Sequence, residues 1–291
     1  MQPKNNSEWI VREDNAGASL QDFLAAMMRV SKRVAKQHID AKVARVNGRI
    51  VWIARHALKP GDAVALAARV ASPTAISKRI DKITILFEDD DFIIADKPRG
   101  ILSNESAYSV EAVLRTQTGN PNLRASHRLD RDTTGCLLLS KSDPAHAAAV
   151  EVFKRHLVAK TYRAAVTGKW DADSTTIDLD IEGERAVTNV RCVTSNADAS
   201  YLIARIETGR THQIRRHLAM ARHPVLGDPE HGRKTVSDPR LSGLTFPLLH
   251  AAELEMTHPL SPGKILKAFS PVPQDFHKWL VALGLERPRR K

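Results

Sequence analysis

HRLDRDTTGCLLLS, residues 127–140, joins a crowded charged loop to a wholly apolar run. His127, Arg128, Asp130, Arg131 and Asp132 fall within six positions, and Cys136 to Leu139 follow a Thr133-Thr134-Gly135 turn. A short apolar run bounded by turn residues reads as a buried strand. A loop anchored on such a strand is held rigidly, which is where folds commonly place reactive side chains. An Asp carboxylate in that position can act as nucleophile or general base. Arg131 and Asp132 read equally well as exposed partners, an arrangement worth only about 0–1 kcal/mol. The loop is therefore a solvated turn, a metal site or a seat of chemistry, and the sequence on either side has to choose.

On the C-terminal side, LVAKTYRAAVTGKW (157–170) alternates polar and apolar residues in the manner of a strand, with Lys160 and Tyr162 on one face. A tyrosine there is half-core by default; a phenol beside basic residues also suits stacking on a base. ETGRTHQIRRHLAMARHPVLGD (207–228) places a turn at Thr208-Gly209 and then a helix, with Thr211 expected as its N-cap. Ile214 and Leu218 face the core at helical spacing, which puts Arg215 near the buried edge. A guanidinium held there needs a carboxylate partner, because burying an unpaired charge is costly. His212 and His217 are five apart rather than four, so they form no zinc-type pair on one helix face and read as polar supports or RNA contacts.

On the N-terminal side, ITILFEDDDFIIADKPRG (83–100) predicts two strands joined by an acidic turn, Glu88 to Asp91. Asp is favoured in turns for its own hydrogen bonding, so the three aspartates predict a hairpin tip rather than a metal site. ASPTAISKRIDK (71–82) has linker composition. Before it, GASLQDFLAAMMRVS (17–31) sets Leu20, Phe23, Leu24, Met27 and Met28 at helical spacing. Ser31 is expected to cap a second helix, KRVAKQHIDA, and VARVNGRIV turns at Asn47-Gly48 in the manner of a tight hairpin. LKPGDAVAL supplies a closing strand.

The chain has 291 residues, 42% apolar and 26% charged, enough for a large domain with a smaller partner and no disulfide support. Cys136 and Cys192 form no CxxC pair, which excludes a zinc ribbon and suits a reducing compartment. No apolar run approaches the roughly 20 residues of a membrane span, and the start lacks a signal-peptide core, so a cytoplasmic protein without membrane contact is expected. Net charge is +11, with nine Lys or Arg between Arg29 and Lys59 against the single acid Asp40. That cluster predicts a polyanionic partner bound through counterion release.

HRLDRDTTG, KTYRAAV and TGRTHQIRRHLA, in that order, resemble the RluA-type pseudouridine synthases. FEDDDFIIADKPRGILS, EGERAVTNVRCV, RHPVLGD and LLHAAELEMTHP extend the similarity over residues 83–275. The first 70 residues resemble the alpha-L RNA-binding domain of a ribosomal protein, through Ser31-Lys32-Arg33, Ile39, VARVNGR and LKPGD. The resemblance implies an enzyme that isomerises uridine in RNA without metal or organic cofactor. Asp130 is then the nucleophile, adding to uracil carbon-6 or attacking the ribose anomeric carbon, with removal of the ribose 2′ proton as a competing route. Tyr162 would pack on the target base, Arg215 would pair with Asp130, and Arg128 would displace the base from its stack. His127, Lys160, Arg210 and His212 are the further substrate contacts expected, and Lys32, Arg33, Lys36, Arg45 and Arg49 the RNA contacts of the first domain. Ser19, Thr134 and Asn104 to Ser106 depart from the family pattern, which more often has Arg, Ser and a His-Pro pair at those places.

The resulting expectation is an α+β protein. A basic RNA-binding domain (1–70) and a linker (71–82) precede a catalytic domain (83–285), whose long, mainly antiparallel mixed sheet is flanked by helices and loops. A basic tail (286–291) follows. The favoured substrate is large-subunit ribosomal RNA, then transfer RNA, acted on by a monomer. The rival readings are a non-catalytic assembly factor of the same fold and a metal-dependent phosphoesterase built on Asp130, Asp132 and a histidine.

Overall fold

A computed structural model describes residues 7–40, 43–66, 80–104, 106, 108–232 and 238–286. Most of the expected linker, Lys42, Glu105 and all of the expected tail but Glu286 lie outside these residues, as do the side chains of Arg33 and Arg49. The chain divides into two compact units, Met1–Lys78 and Arg79–Lys291.

The first unit is a four-stranded antiparallel sheet, in the order β1-β4-β2-β3, with two helices. Its elements are β1 (Ser7–Ile10), α1 (Leu20–Met28), α2 (Lys32–Asp40), β2 (Ala44–Val46), β3 (Arg49–Ile50) and β4 (Ala63–Leu66). Ser19, one of the departures from the family pattern, caps α1 by accepting the Asp22 backbone N–H at 3.1 Å. Leu20, Phe23 and Leu24 enter the core with Ala35, Ile39 and Val64. Met27, expected on that face, is instead exposed: α1 ends one residue later, at a left-handed Arg29. The Asn47-Gly48 turn forms as expected, both residues having positive φ.

The second unit is built on a ten-stranded mixed sheet, β10-β11-β12-β9-β13-β8-β6-β5, with β14 added to β13 and β7 to β8. In chain order these are β5 (Ile85–Glu88), β6 (Phe92–Lys97), β7 (Arg124–Ala125), β8 (Thr134–Ser140), β9 (Ala159–Thr167), β10 (Ser174–Asp178), β11 (Val187–Ser195), β12 (Ala199–Ile206), β13 (Leu249–Thr257) and β14 (Ile265–Phe269). The helices are α3 (Val110–Thr118), α4 (Asp143–Lys154), α5 (Gln213–Met220) and α6 (Gln274–Ala282). The β8–β13 pair is parallel and the other strand pairs are antiparallel, so the mainly antiparallel mixed sheet is as expected.

Every residue of β8 is buried because both faces of the sheet are covered there. Leu137 and Leu139 face one core with Ile214 and Leu218 of α5 and Val110 and Leu114 of α3. Cys136 and Leu138 face the other with Ala145 and Ala149 of α4. The apolar run that follows the charged loop is thus the centre of the sheet. Gly135, at φ +108°, lies where β8 meets β13, and a Cβ there would sit 2.1 Å from the Ala251 carbonyl oxygen. Any side chain would force apart the two strands that fix the loop.

Among the described residues no helix is long and apolar enough to cross a membrane. Cys136 is buried, Cys192 is partly buried, and both are free thiols.

Candidate active site

The loop preceding β8 is held by its backbone, and the holding group is one that residue pattern alone does not single out. Lys97, at the end of β6, is fully buried and donates to three carbonyls, those of Pro98 (3.1 Å), Arg131 (2.8 Å) and Thr133 (2.8 Å). Burial draws its ammonium down to about 7, while Asp132 and Asp130 oppose the shift. Three carbonyl acceptors need three N–H bonds, and only the charged form supplies them. Arg99 adds a bond to the Asp132 carbonyl at 3.0 Å, and the Gly100 N–H donates to the Arg131 carbonyl at 3.0 Å. The KPRG segment is therefore a clamp on residues 131–133, directly after Asp130.

The clamp presents Asp130 to a cleft of about 540 Å³. Its walls include His127, Arg128, Lys160, Tyr162, Arg210, His212 and Arg215, all of the residues expected at the substrate site. Asp130 Oδ2 accepts from Arg215 Nη1 at 3.2 Å, and its Oδ1 lies 3.6 Å from His212 Nε2. Arg215 is buried on α5, so its charge needs more than one partner. The principal one is Asp228, in a two-pronged pair at 2.6 and 2.7 Å, with Glu230 a third carboxylate at 3.4 Å. Burial opposes the Arg215 charge, and the Asp228 carboxylate more than offsets it. Burial likewise pushes Asp228 up, but Arg215 and the backbone N–H groups of His231 and Glu230 hold it below its ordinary value. Asp228 fixes the guanidinium, and the guanidinium then orients Asp130.

α5 starts one residue later than the sequence suggests. The expected Thr211 N-cap is replaced by His212, a left-handed residue at φ 54° with no capping side chain. Gln213, the first residue of the helix, braces the turn before it: its Oε1 accepts from the Arg210 N–H (3.0 Å) and the Thr208 hydroxyl (2.7 Å). Its Nε2 donates to the Val187 carbonyl (2.9 Å) and Thr188 Oγ1 (3.1 Å), so a buried amide has all four bonds satisfied. Gln213 ties α5 to β11, and His212 is thereby turned into the cleft. His217 belongs to the frame: its Nε2 donates to the Leu179 carbonyl at 2.9 Å, and its Nδ1 accepts from Thr188 Oγ1 at 3.0 Å.

β9 supplies the opposite wall. Tyr162 registers between Ala204 and Ala251, whose small side chains leave room for its ring. Burial and then the Asp130 charge push its phenol up, so it stays protonated near neutral pH. Lys160 reaches the Thr208 carbonyl at 3.3 Å, and burial pulls its ammonium down to about 8. His127 stacks on Phe153 with ring centroids 4.8 Å apart, and its Nε2 accepts the Leu138 N–H at 3.1 Å. Burial and then Lys160 pull its ring down to about 3, so it is neutral. Arg128 is exposed with no ion pair among the described residues, whereas Arg210 pairs with Glu184 and donates to the Arg185 carbonyl at 3.2 Å. In the first unit Lys32 pairs with Asp22 at 2.7 Å, Arg45 donates to the Gly48 carbonyl at 2.8 Å, and Lys36 is exposed.

Sequence reasoning gave no roles to Lys97, Gln213, Asp228 or Glu230. The need of a buried Arg215 for a carboxylate was the one available signal, and it pointed toward Asp228 as much as Asp130.

Over residues 91–220 the sequence matches the RNA pseudouridylate synthase family. Ribosomal large subunit pseudouridine synthase D of Zymomonas mobilis is 31% identical over 295 residues, covering 90% of this chain and 93% of the relative. The protein of that name from Escherichia coli K12 is 30% identical over 297 residues, covering 91% and 90%. The solved structure titled Human RNA Pseudouridylate Synthase Domain Containing 4 shares the fold, with a TM-score of 0.60 at 23% identity over 70% of this chain and 94% of that one. These matches give the family: the chain belongs to the RluA-type RNA pseudouridine synthases.

Proposed function

We propose that the protein converts specific uridines of structured RNA, with large-subunit ribosomal RNA the favoured class, using Asp130 as nucleophile and no metal or organic cofactor. The observation that carries this reading is the placement of Asp130. The loop that follows it is clamped by Lys97, its carboxylate is 3.2 Å from a buried Arg215, and it shares a cleft with Tyr162.

The chemistry breaks the bond between uracil N1 and the ribose, turns the base, and joins carbon-5 to the ribose; N1 gains a proton and carbon-5 loses one. A stacked uridine cannot expose both faces, so the nucleotide has to leave the helix, at a cost of a few kcal/mol. Arg128, exposed at the mouth and unpaired, suits the displacement of the base. Tyr162 offers a ring for the uracil to stack on and a protonated phenol close to the reacting carbons. The partly closed, partly apolar cleft retains the detached base while it turns. Lys32, Lys36 and Arg45 give the first unit basic side chains whose phosphate contacts offset part of the extrusion cost. The names of the relatives support ribosomal RNA as the substrate class.

Mapping pseudouridines across total RNA from cells with and without the gene tests this. One or more large-subunit ribosomal sites should vanish on deletion and return with the wild-type gene. Loss of a transfer RNA site alone would move the substrate class, and no lost site would refute the activity.

A further inference from the structure

Beside the Asp130–Arg215 pair lies a cluster of which His212 alone lines the cleft. His212, Glu230 and His231 bring two imidazoles and a carboxylate to one place, with ligand-capable atoms all within 4.8 Å of one another. His212 Nδ1 is 3.2 Å from His231 Nε2 and 3.2 Å from Glu230 Oε2, and His231 Nε2 is 3.8 Å from Glu230 Oε1. A tetrahedral zinc ion with bonds of about 2.0–2.1 Å has ligand-to-ligand edges of about 3.3 Å. The two separations from His212 Nδ1 match that edge, while Glu230 faces the two histidines with different oxygens. His212 Nδ1 also has more neighbours than its single hydrogen can serve. The ring faces a nitrogen and a carboxylate at equal distance, an arrangement that suits a shared cation better than a hydrogen-bond chain.

Two further features favour an ion. The other ring nitrogen of His212 faces Asp130 Oδ1 at 3.6 Å, the outer-carboxylate position that orients metal-bound histidines. Asp130, Asp228 and Glu230 also surround the single guanidinium of Arg215, leaving the group negatively charged. Glu230 is the longest of the three Arg215 contacts, so it can turn to a cation while Asp228 and Asp130 still hold the arginine. Two nitrogens and one oxygen suit zinc and its transition-metal neighbours; magnesium prefers an all-oxygen shell.

We propose that His212, Glu230 and His231 form a three-ligand site for a zinc-class dication, and that its occupation inhibits the synthase by taking His212 from the RNA cleft. The inhibitory half rests on the function proposed above; the binding half does not. The chemistry itself requires no metal, and the ion acts as a brake.

The test uses the full-length chain freed of metal by chelation. Titration with zinc chloride in a calorimeter should give one tight equivalent, and cobalt chloride should develop the intense visible absorption of four-coordinate cobalt. Magnesium chloride should give neither. His231→Phe and Glu230→Gln should each weaken zinc binding by more than about 100-fold, since even the outer partners of metal ligands are worth 10–100-fold. Both side chains are partly exposed, so the variants should fold; unchanged circular dichroism checks this. Absence of zinc binding, or affinity unaltered in both variants, overturns the site. Turnover on ribosomal RNA should fall with one equivalent of zinc, recover with chelator, and become insensitive in His231→Phe, which keeps its basal rate. Zinc bound without loss of turnover overturns the brake alone. A wild-type chain inactive on every RNA overturns the proposed function, while the calorimetry still decides the site.

Discussion

Two acidic turns of the same sheet, Asp89-Asp90-Asp91 and Asp130-Arg131-Asp132, look alike in composition and are built in opposite ways. In the first the carboxylate serves the fold. Asp89 accepts the backbone N–H groups of Asp91 (3.0 Å) and Phe92 (2.8 Å), binds Lys264 at 2.8 Å, and faces His258 at 3.2 Å. Its side chain is 10% exposed. In the second the backbone serves the fold and the carboxylate is kept for the cleft. Lys97, Arg99 and Gly100 bind the carbonyls of the loop, while the Asp130 carboxylate, 28% exposed, meets Arg215 and His212. A carboxylate is available for chemistry when something else holds the loop that bears it.

That contrast can be broken from several sides. Arg215→Met should have the largest effect, because it strands Asp228 as a buried unpaired charge and removes the group that orients Asp130. A loss of about 3–5 kcal/mol is expected in chemical denaturation, with turnover falling by at least about 1,000-fold. Lys97→Met takes the ammonium from three carbonyls, of which that of Arg131 keeps the Gly100 N–H. At about 1–3 kcal/mol for an unsatisfied buried group, and with some relaxation, the loss should reach about 3 kcal/mol, accompanied by reduced turnover at unchanged RNA affinity. Asp89→Asn keeps an oxygen for the turn N–H groups and loses only charge. Stability should drop by about 1 kcal/mol and turnover should stay within about twofold. A further effect appears only in acid. The folded His127 ring resists protonation until about pH 3, whereas the unfolded chain takes up that proton near its ordinary value of about 6.5. Stability should therefore decline as pH falls from about 6.5 toward 3, and His127→Gln should flatten that part of the curve in thermal scans.

The sequence displays some of this division and hides the rest. The strand after the loop was legible because four consecutive apolar residues need two covered faces, and β8 has them. The tight turn at Asn47-Gly48 was legible because its chemistry is local. Asp130, Tyr162 and Arg215 stood out through ordered motifs, and the fold brings all three to one cleft. Lys97 did not stand out, since its partners at residues 131 and 133 are fixed only when β6 pairs with β8. The α5 start was misplaced for a similar reason. Thr211 has the local chemistry of a cap, but the helix start is set by Gln213, which braces the preceding turn and bonds to β11, and no local pattern reveals those contacts. Met27 failed because helical spacing cannot say where a helix stops.

The most direct test of the account compares Asp130→Asn with Asp89→Asn on the same RNA, measuring single-turnover pseudouridine formation beside RNA affinity. Asp130→Asn should lose at least about 10,000-fold in rate while binding RNA as the wild type does, and Asp89→Asn should turn over normally. Near-normal turnover by Asp130→Asn would contradict the assignment of the nucleophile and, with it, the division between the two turns.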